Sequence, residues 1–173
     1  MNIIIEKTLD RKVFHVINYV YREKMDFIEI GYEYLLGVPE IDNQHKELAK
    51  RLNNAIKHCT GKKKDEDKFY YENIDYSIKF LKSHFDLEEK ILCKTDYENT
   101  EKHKADHKKI LDEITKMTED IEKKKIELNL FYVTAFVKER VMKHIKKHDV
   151  AAKKHFIEGN KINEARPSAK TKR

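Results

Sequence analysis

The sequence predicts an all-α fold: an up-down-up-down antiparallel four-helix bundle with an N-terminal arm. Three observations carry this expectation. Of 173 residues only four are glycine and two proline, while 39% are charged and 39% hydrophobic, a balance that suits long amphipathic helices better than a turn-rich sheet. Four stretches repeat apolar residues at the three-and-four spacing of a single helix face. The segments between them are short, which makes successive helices antiparallel neighbours.

Residues 1–25 form an extension with no assignable element: Val13, Val16, Ile17 and Val20 recur at helical spacing, but Phe14, Tyr19 and Tyr21 suit a strand equally well, and Met25 is an alternative start. An arm follows over residues 26–40, broken by Gly31 and Gly37 and covered by Tyr32, Tyr34, Leu35 and Leu36. The first helix is expected from Pro39 to Cys59, with the stripe Ile41, Leu48, Leu52, Ala55 and Cys59 and with Gly61 as its stop. Lysine-rich residues 62–68 read as a solvated loop. The second helix is expected from Phe69 to Lys94 on the stripe Ile74, Ser77, Leu81, His84, Glu88 and Ile91. Thr95-Asp96-Tyr97-Glu98 reads as a capping box that starts the third helix, which runs to Lys124 on His103, His107, Ile110, Ile114, Met117 and Ile121. The fourth runs from Leu128 to Glu158 on Leu130, Val133, Val137, Val141, His144 and His148, and Gly159 ends it. The single domain is therefore expected over residues 26–158, with a basic, disordered tail over 159–173.

Composition also excludes several classes. The formal charge of +6 comes from 37 Lys+Arg against 31 Asp+Glu spread along helix faces, without the patch of basic and aromatic residues that a nucleic-acid binder concentrates. No apolar run approaches the roughly 20 residues needed to cross a membrane, so no membrane partner is expected. The N-terminus is too soon charged for a signal peptide, which points to the cytoplasm. Cys59 and Cys93 fall at opposite ends of the expected bundle, so the thiols should be reduced.

Every expected stripe carries histidine. His84 with Glu88, and His103 with His107, stand four apart, so each pair stacks on one helix face and can converge on one metal ion. His45 lies one turn into the first helix, and His144 lies past the middle of the fourth. Early on odd helices and late on even ones is the same end of an antiparallel bundle. Buried there without a metal, five imidazoles and two carboxylates would be poorly paired, at about 1–3 kcal/mol each. His58 and His155 read as surface histidines, and Asp86, Glu89 and Asp106 as solvent-facing residues or partners of the ligands.

The motifs Gly37-Val38-Pro39-Glu40-Ile41-Asp42-Asn43-Gln44-His45, His84-Phe85-Asp86-Leu87-Glu88-Glu89, His103-x-x-x-His107 and His144-Ile145-x-x-x-Asp149 resemble the hemerythrin family, in particular its single-domain bacterial members. The resemblance covers about residues 30–156. It implies a non-haem di-iron centre (Fe2+/Fe3+) with a bridging oxo or hydroxo group. By it, His103, His107 and His144 would hold one iron, His45 and His84 the other, and Glu88 and Asp149 would bridge them. The second iron would then keep one open position for O2. Five neutral imidazoles with two carboxylates are a less anionic set than the carboxylate-rich di-iron bundles, which favours binding O2 over cleaving it.

Two departures accompany the resemblance. Ile30 and Arg140 stand where the family often has tryptophan. On an ideal helix His144 and Asp149 point about 140° apart, and His148 has the better phase; a local π-type bulge would rephase Asp149. The expected function is reversible O2 binding by a monomeric carrier, store or sensor, with any signalling or delivery partner on a separate chain and no catalytic residue. The alternatives are a di-iron enzyme acting on peroxide or nitric oxide, an iron donor for iron–sulfur repair, and a metal-free helical interaction module.

Overall fold

A computed structural model of the protein describes residues 26–165. The expected extension, with His15 and the alternative start at Met25, lies outside the described residues, as does the tail beyond 165. From Asp26 the arm runs extended through a short 3-10 turn, Tyr32–Tyr34. Helix α1 spans Pro39–His58, α2 Lys63–Leu92 and α3 Thr100–Glu122. The fourth rod is continuous but has three parts: α4 at Leu130–His144, a π-helical turn at Ile145–Asp149, and α5 at Val150–Ala165. Neighbours pack in a closed circuit, α1 on α2, α2 on α3, α3 on α4 and α4 on α1, which is the expected all-α four-helix bundle.

The boundaries follow from local chemistry, and the structure revises four details of the sequence expectation. Residues 63–68 are helical, because Asp65 and Glu66 meet the positive end of the α2 dipole and Lys63–Asp67 and Lys68–Glu72 pair one turn apart at 3.2 and 3.9 Å. Thr95 caps nothing downstream: its hydroxyl donates back to the Leu92 carbonyl at 2.9 Å, so the tetrad closes α2, and α3 starts later at Thr100. Tyr32 is 90% exposed, so of the expected cover Leu36 is buried and Tyr34 packs on the core, and Val38 and Ile28 join them. The Asp42 carboxylate fixes that arm by accepting from the Leu36 and Gly37 amides at 2.6 and 3.1 Å. Gly159 does not stop the fourth rod. It is buried inside α5, where a Cβ would collide with the Ile91 carbonyl oxygen, so glycine serves close packing there.

The core has a layered order along the bundle axis. Leu36, Val38, Ile41, Ile91, Leu92, Ala152 and Phe156 form one apolar cluster near the arm. A second, in mid-bundle, contains Leu48, Leu81, Phe85, Ile110, Ile114, Val141 and Ile145. A third closes the far end around Cys59, Tyr70, Ile121, Leu130 and Val133. Cys59 is buried in it while Cys93 is exposed beside the end of α2, and neither is part of a disulfide. Each large apolar side chain so buried contributes about 1.5–3 kcal/mol, which fixes the register of all four rods. Between the first and second clusters, each rod presents polar residues to the axis.

Candidate metal centre

That polar layer consists of His45 on α1, His84 and Glu88 on α2, His103 and His107 on α3, His144 at the end of α4, and Asp149 at the end of the π turn. All seven are at most 1% exposed. The extra residue of the π turn rotates Asp149 inward beside His144, with Asp149 Oδ1 at 2.9 Å from His144 Nε2. His148 faces out of the layer instead, stacked on His144 and 3.7 Å from the Asp106 carboxylate.

The donor atoms form two groups that share both carboxylates. Glu88 Oε2 lies 3.4 Å from His103 Nε2 and 3.1 Å from His107 Nε2, while Glu88 Oε1 lies 3.5 Å from His45 Nε2 and 3.3 Å from His84 Nε2. Asp149 Oδ1 lies 3.3 Å from His103 Nε2, while Asp149 Oδ2 lies 3.4 Å from His45 Nε2. Each carboxylate thus turns one oxygen to a group of three imidazoles and the other to a group of two. Glu88, His103, His107, His144 and Asp149 gather their donor atoms within 4.8 Å of one another, and so do His45, His84, Glu88 and Asp149.

Outward-facing hydrogen bonds set the tautomers. His107 donates from Nδ1 to Glu89 Oε1 at 2.9 Å, His144 from Nδ1 to Asp106 Oδ2 at 2.8 Å, and His84 from Nδ1 to Gln44 Oε1 at 3.0 Å. A neutral ring that donates from Nδ1 turns a lone pair inward at Nε2. His107 Nε2 and His144 Nε2 are only 2.9 Å apart, so a proton or a metal ion must lie between them. Neighbouring ligands of an octahedral ion with bonds of about 2.1 Å stand about 3 Å apart; the closest donor pairs here match that at 2.9 and 3.1 Å, and the others stand somewhat wider, up to 3.5 Å in the smaller group and 3.9 Å from His144 Nε2 to Glu88 Oε2. His84 Nε2, both His45 ring nitrogens, Glu88 Oε1 and both Asp149 carboxylate oxygens find no hydrogen-bond partner among the described residues. Orphans on this scale at one buried point suit a cation pair.

A family model, the hemerythrin HHE cation binding domain, matches residues 36–152. The chain belongs to the hemerythrin family. Cation binding at this His/Glu/Asp cluster therefore has support both from the family and from the donor geometry. None of the curated proteins and none of the solved structures matches the chain. At the two positions where many hemerythrins have tryptophan, Ile30 packs with the Ile28, Ala49 and Leu52 cluster and Arg140 pairs with Glu113, so both sites are filled without an indole.

The sequence left Asp86, Glu89 and Asp106 either facing solvent or acting as partners of the ligands; Glu89 and Asp106 are such partners, and Asp86 pairs with Lys82 in solvent. Gln44 was missed: a glutamine next to a histidine carries no signal until α1 and α2 are packed and the amide meets His84. His58 donates from Nδ1 to the Asn54 carbonyl at 2.8 Å and stacks on Phe69; His155 packs on Tyr97. Both are half-buried packing residues outside the two donor groups.

Without metal, protons take the cation's place. Burial opposes a charge on His45, but Asp149 and Glu88 outweigh it and push the imidazole up to about 9. His144 is raised for the same reason, with Asp149 the leading partner. Burial drives His84 down to about 4, since His45 already supplies the charge facing Glu88. Asp149 is held at about 2: burial and Glu88 push it up, and His144 and His45 pull it further down. Metal binding must displace the His45 proton, so it competes with protons below pH 9. His45 stabilises the metal-free fold fully below its unfolded value near 6.5 and loses that contribution as pH rises through 9. Because His144 must also give up its proton, the expected result is that metal affinity rises at least tenfold per pH unit between pH 7 and 9, while the metal-free melting temperature falls over the same window. Metal titrations and melting curves at three pH values check both; a pH-independent affinity contradicts the protonated His45.

Proposed function

We propose that this hemerythrin-family chain binds O2 reversibly at a non-haem di-iron centre held by His45, His84, Glu88, His103, His107, His144 and Asp149. The observation that carries the reading is the unequal division of the donors: each carboxylate serves both groups, and one group has three imidazoles where the other has two. Two shared carboxylates call for two ions side by side, unlike a structural zinc site, which closes on a single tetrahedral ion. The smaller donor group leaves room for a ligand from outside. When bound, the iron pair supplies a reducible dinuclear site for O2.

The chain's own residues prepare that site. Glu88 and Asp149 place two negative charges where two cations would otherwise be uncompensated in an apolar core. Gln44, Glu89 and Asp106 hold three imidazoles by their outer nitrogens, and Phe85 stacks on His107 with 3.9 Å between ring centres. The arm cluster around Leu36 and Phe156 excludes water on one side of the layer, and the mid-bundle cluster around Leu48 and Ile110 excludes it on the other.

Metal analysis of the purified protein, followed by optical and resonance Raman spectra of its reduced form under O2, tests the reading. Two irons per chain are expected, with a visible band and an oxygen-isotope-sensitive vibration that disappear when O2 is removed. One zinc and no iron after aerobic expression with added iron would overturn the di-iron site. Two irons that turn over peroxide or nitric oxide without a stable O2 adduct would replace the carrier with an enzyme.

A further inference from the structure

The hydrogen bonds behind the imidazoles differ in charge from one side of the site to the other. In the three-imidazole group, His107 and His144 donate to carboxylates, Glu89 at 2.9 Å and Asp106 at 2.8 Å. In the two-imidazole group, His84 donates to the neutral amide oxygen of Gln44 at 3.0 Å. A carboxylate behind an imidazole makes the ring a more basic ligand, and its negative charge favours the higher oxidation state of the nearer ion. An amide oxygen supplies a dipole without net charge. Glu89 and Asp106 are each 32% exposed, so water screens part of their field, but the sign of the difference survives because Gln44 has no charge to screen.

From this asymmetry we infer that Gln44, Glu89 and Asp106 are positioning residues that polarise the iron pair: the first electron removed from the reduced centre leaves the iron held by His103, His107 and His144. The iron held by His45 and His84 stays ferrous until the second oxidation. The inference rests on the di-iron reading above and adds the order of oxidation to it. The step is one Fe2+ becoming Fe3+, with the electron passing to an external one-electron oxidant and no bond formed or broken in the protein. The result is that the iron with the open position keeps its reducing electron when the centre is oxidised only halfway.

Coordination number favours the same iron, so the test must separate the two causes. Full-length, iron-loaded, reduced protein is oxidised with one equivalent of ferricyanide, and electron–nuclear double resonance counts the histidine nitrogens on the ferric ion. Three are expected. The same measurement is made on Gln44→Glu, on Glu89→Gln/Asp106→Asn and on the three substitutions together, with iron content and melting temperature recorded for each. The double variant should raise the first oxidation potential, and Gln44→Glu combined with it should move ferric character to the ion with two nitrogens. A ferric ion with two nitrogens in the unmodified protein overturns the inference. So does a three-nitrogen ion whose potential and nitrogen count ignore all the substitutions, since coordination alone then sets the order. A chain that holds no iron pair fails earlier, at metal analysis, and that result overturns the di-iron reading itself.

Discussion

Replacing Asp149 with alanine is expected to reduce iron from two per chain to well below one, whereas His148→Ala should leave iron content and the optical spectrum unchanged. Asp149 is fully buried and turns one oxygen to each donor group, so in the proposed centre its loss would take a ligand atom from both ions at once. It also removes one of two buried negative charges facing two dications. Loss of a mere outer hydrogen-bond partner weakens metal sites about 10–100-fold, so loss of a shared carboxylate should exceed that range. Whatever iron remains should oxidise faster in air, because water fills the vacated volume. His148 touches the site by stacking on His144, by an edge contact with the His103 ring and by its 3.7 Å approach to Asp106, and it turns no donor atom to either group. Metal analysis, optical spectra and the rate of spontaneous oxidation measure both variants. If His148→Ala loses iron while Asp149→Ala keeps it, the π turn does not govern the site.

Gly159→Ala is expected to destabilise the protein although alanine is the better helix former. The propensity gain is about 1 kcal/mol. Against it, the new methyl meets the Ile91 carbonyl oxygen and, at 2.9 Å, Ile91 Cγ2. Overpacking costs about 1–3 kcal/mol when the obstacle is a flexible side chain and more when it is backbone, which cannot turn aside. The cost wins, and the melting temperature should fall by about 3–8 °C, with Gly159→Val lower still. Urea unfolding of the metal-free protein reads this without involving iron. A more stable Gly159→Ala protein would show that α5 stands off from α2, contrary to the contact described. The effect is informative because Gly159 lies beyond residue 152, where the family match ends.

The parts of this molecule legible in its sequence are those governed by helical period. Ile41, His45, Leu48 and Leu52 recur at threes and fours, and all four are buried on one face of α1. The same holds for Leu81, His84, Glu88 and Ile91 on α2. Asp149 was outside that period and entered only through the resemblance, since a π turn has no residue signature of its own. Lys63 and Asp65 looked like loop because charge without apolar residues gives no period, yet their spacing supports a helix. Thr95-Asp96-Tyr97-Glu98 misled because the same hydroxyl can close the preceding helix as well as open the next. Gln44 and Gly159 were illegible for a common reason: each owes its role to a residue on another helix, His84 and Ile91, that only packing brings near.

The depth of the donor layer has a consequence for the chain as a polymer. The metal pair proposed above, gripped by all four rods, would act as a set of reversible cross-links. His45 and Asp149 are separated by a loop of about 100 residues, and a covalent tie closing a loop that long would remove nearly 5 kcal/mol of freedom from the unfolded chain. Coordination bonds that spanned it would oppose unfolding in the same sense. The donors are at most 1% exposed, so a solution chelator would not reach an ion while the bundle is shut. Release would wait for the rods to separate, and the lifetime of the cofactor would become the lifetime of the closed fold.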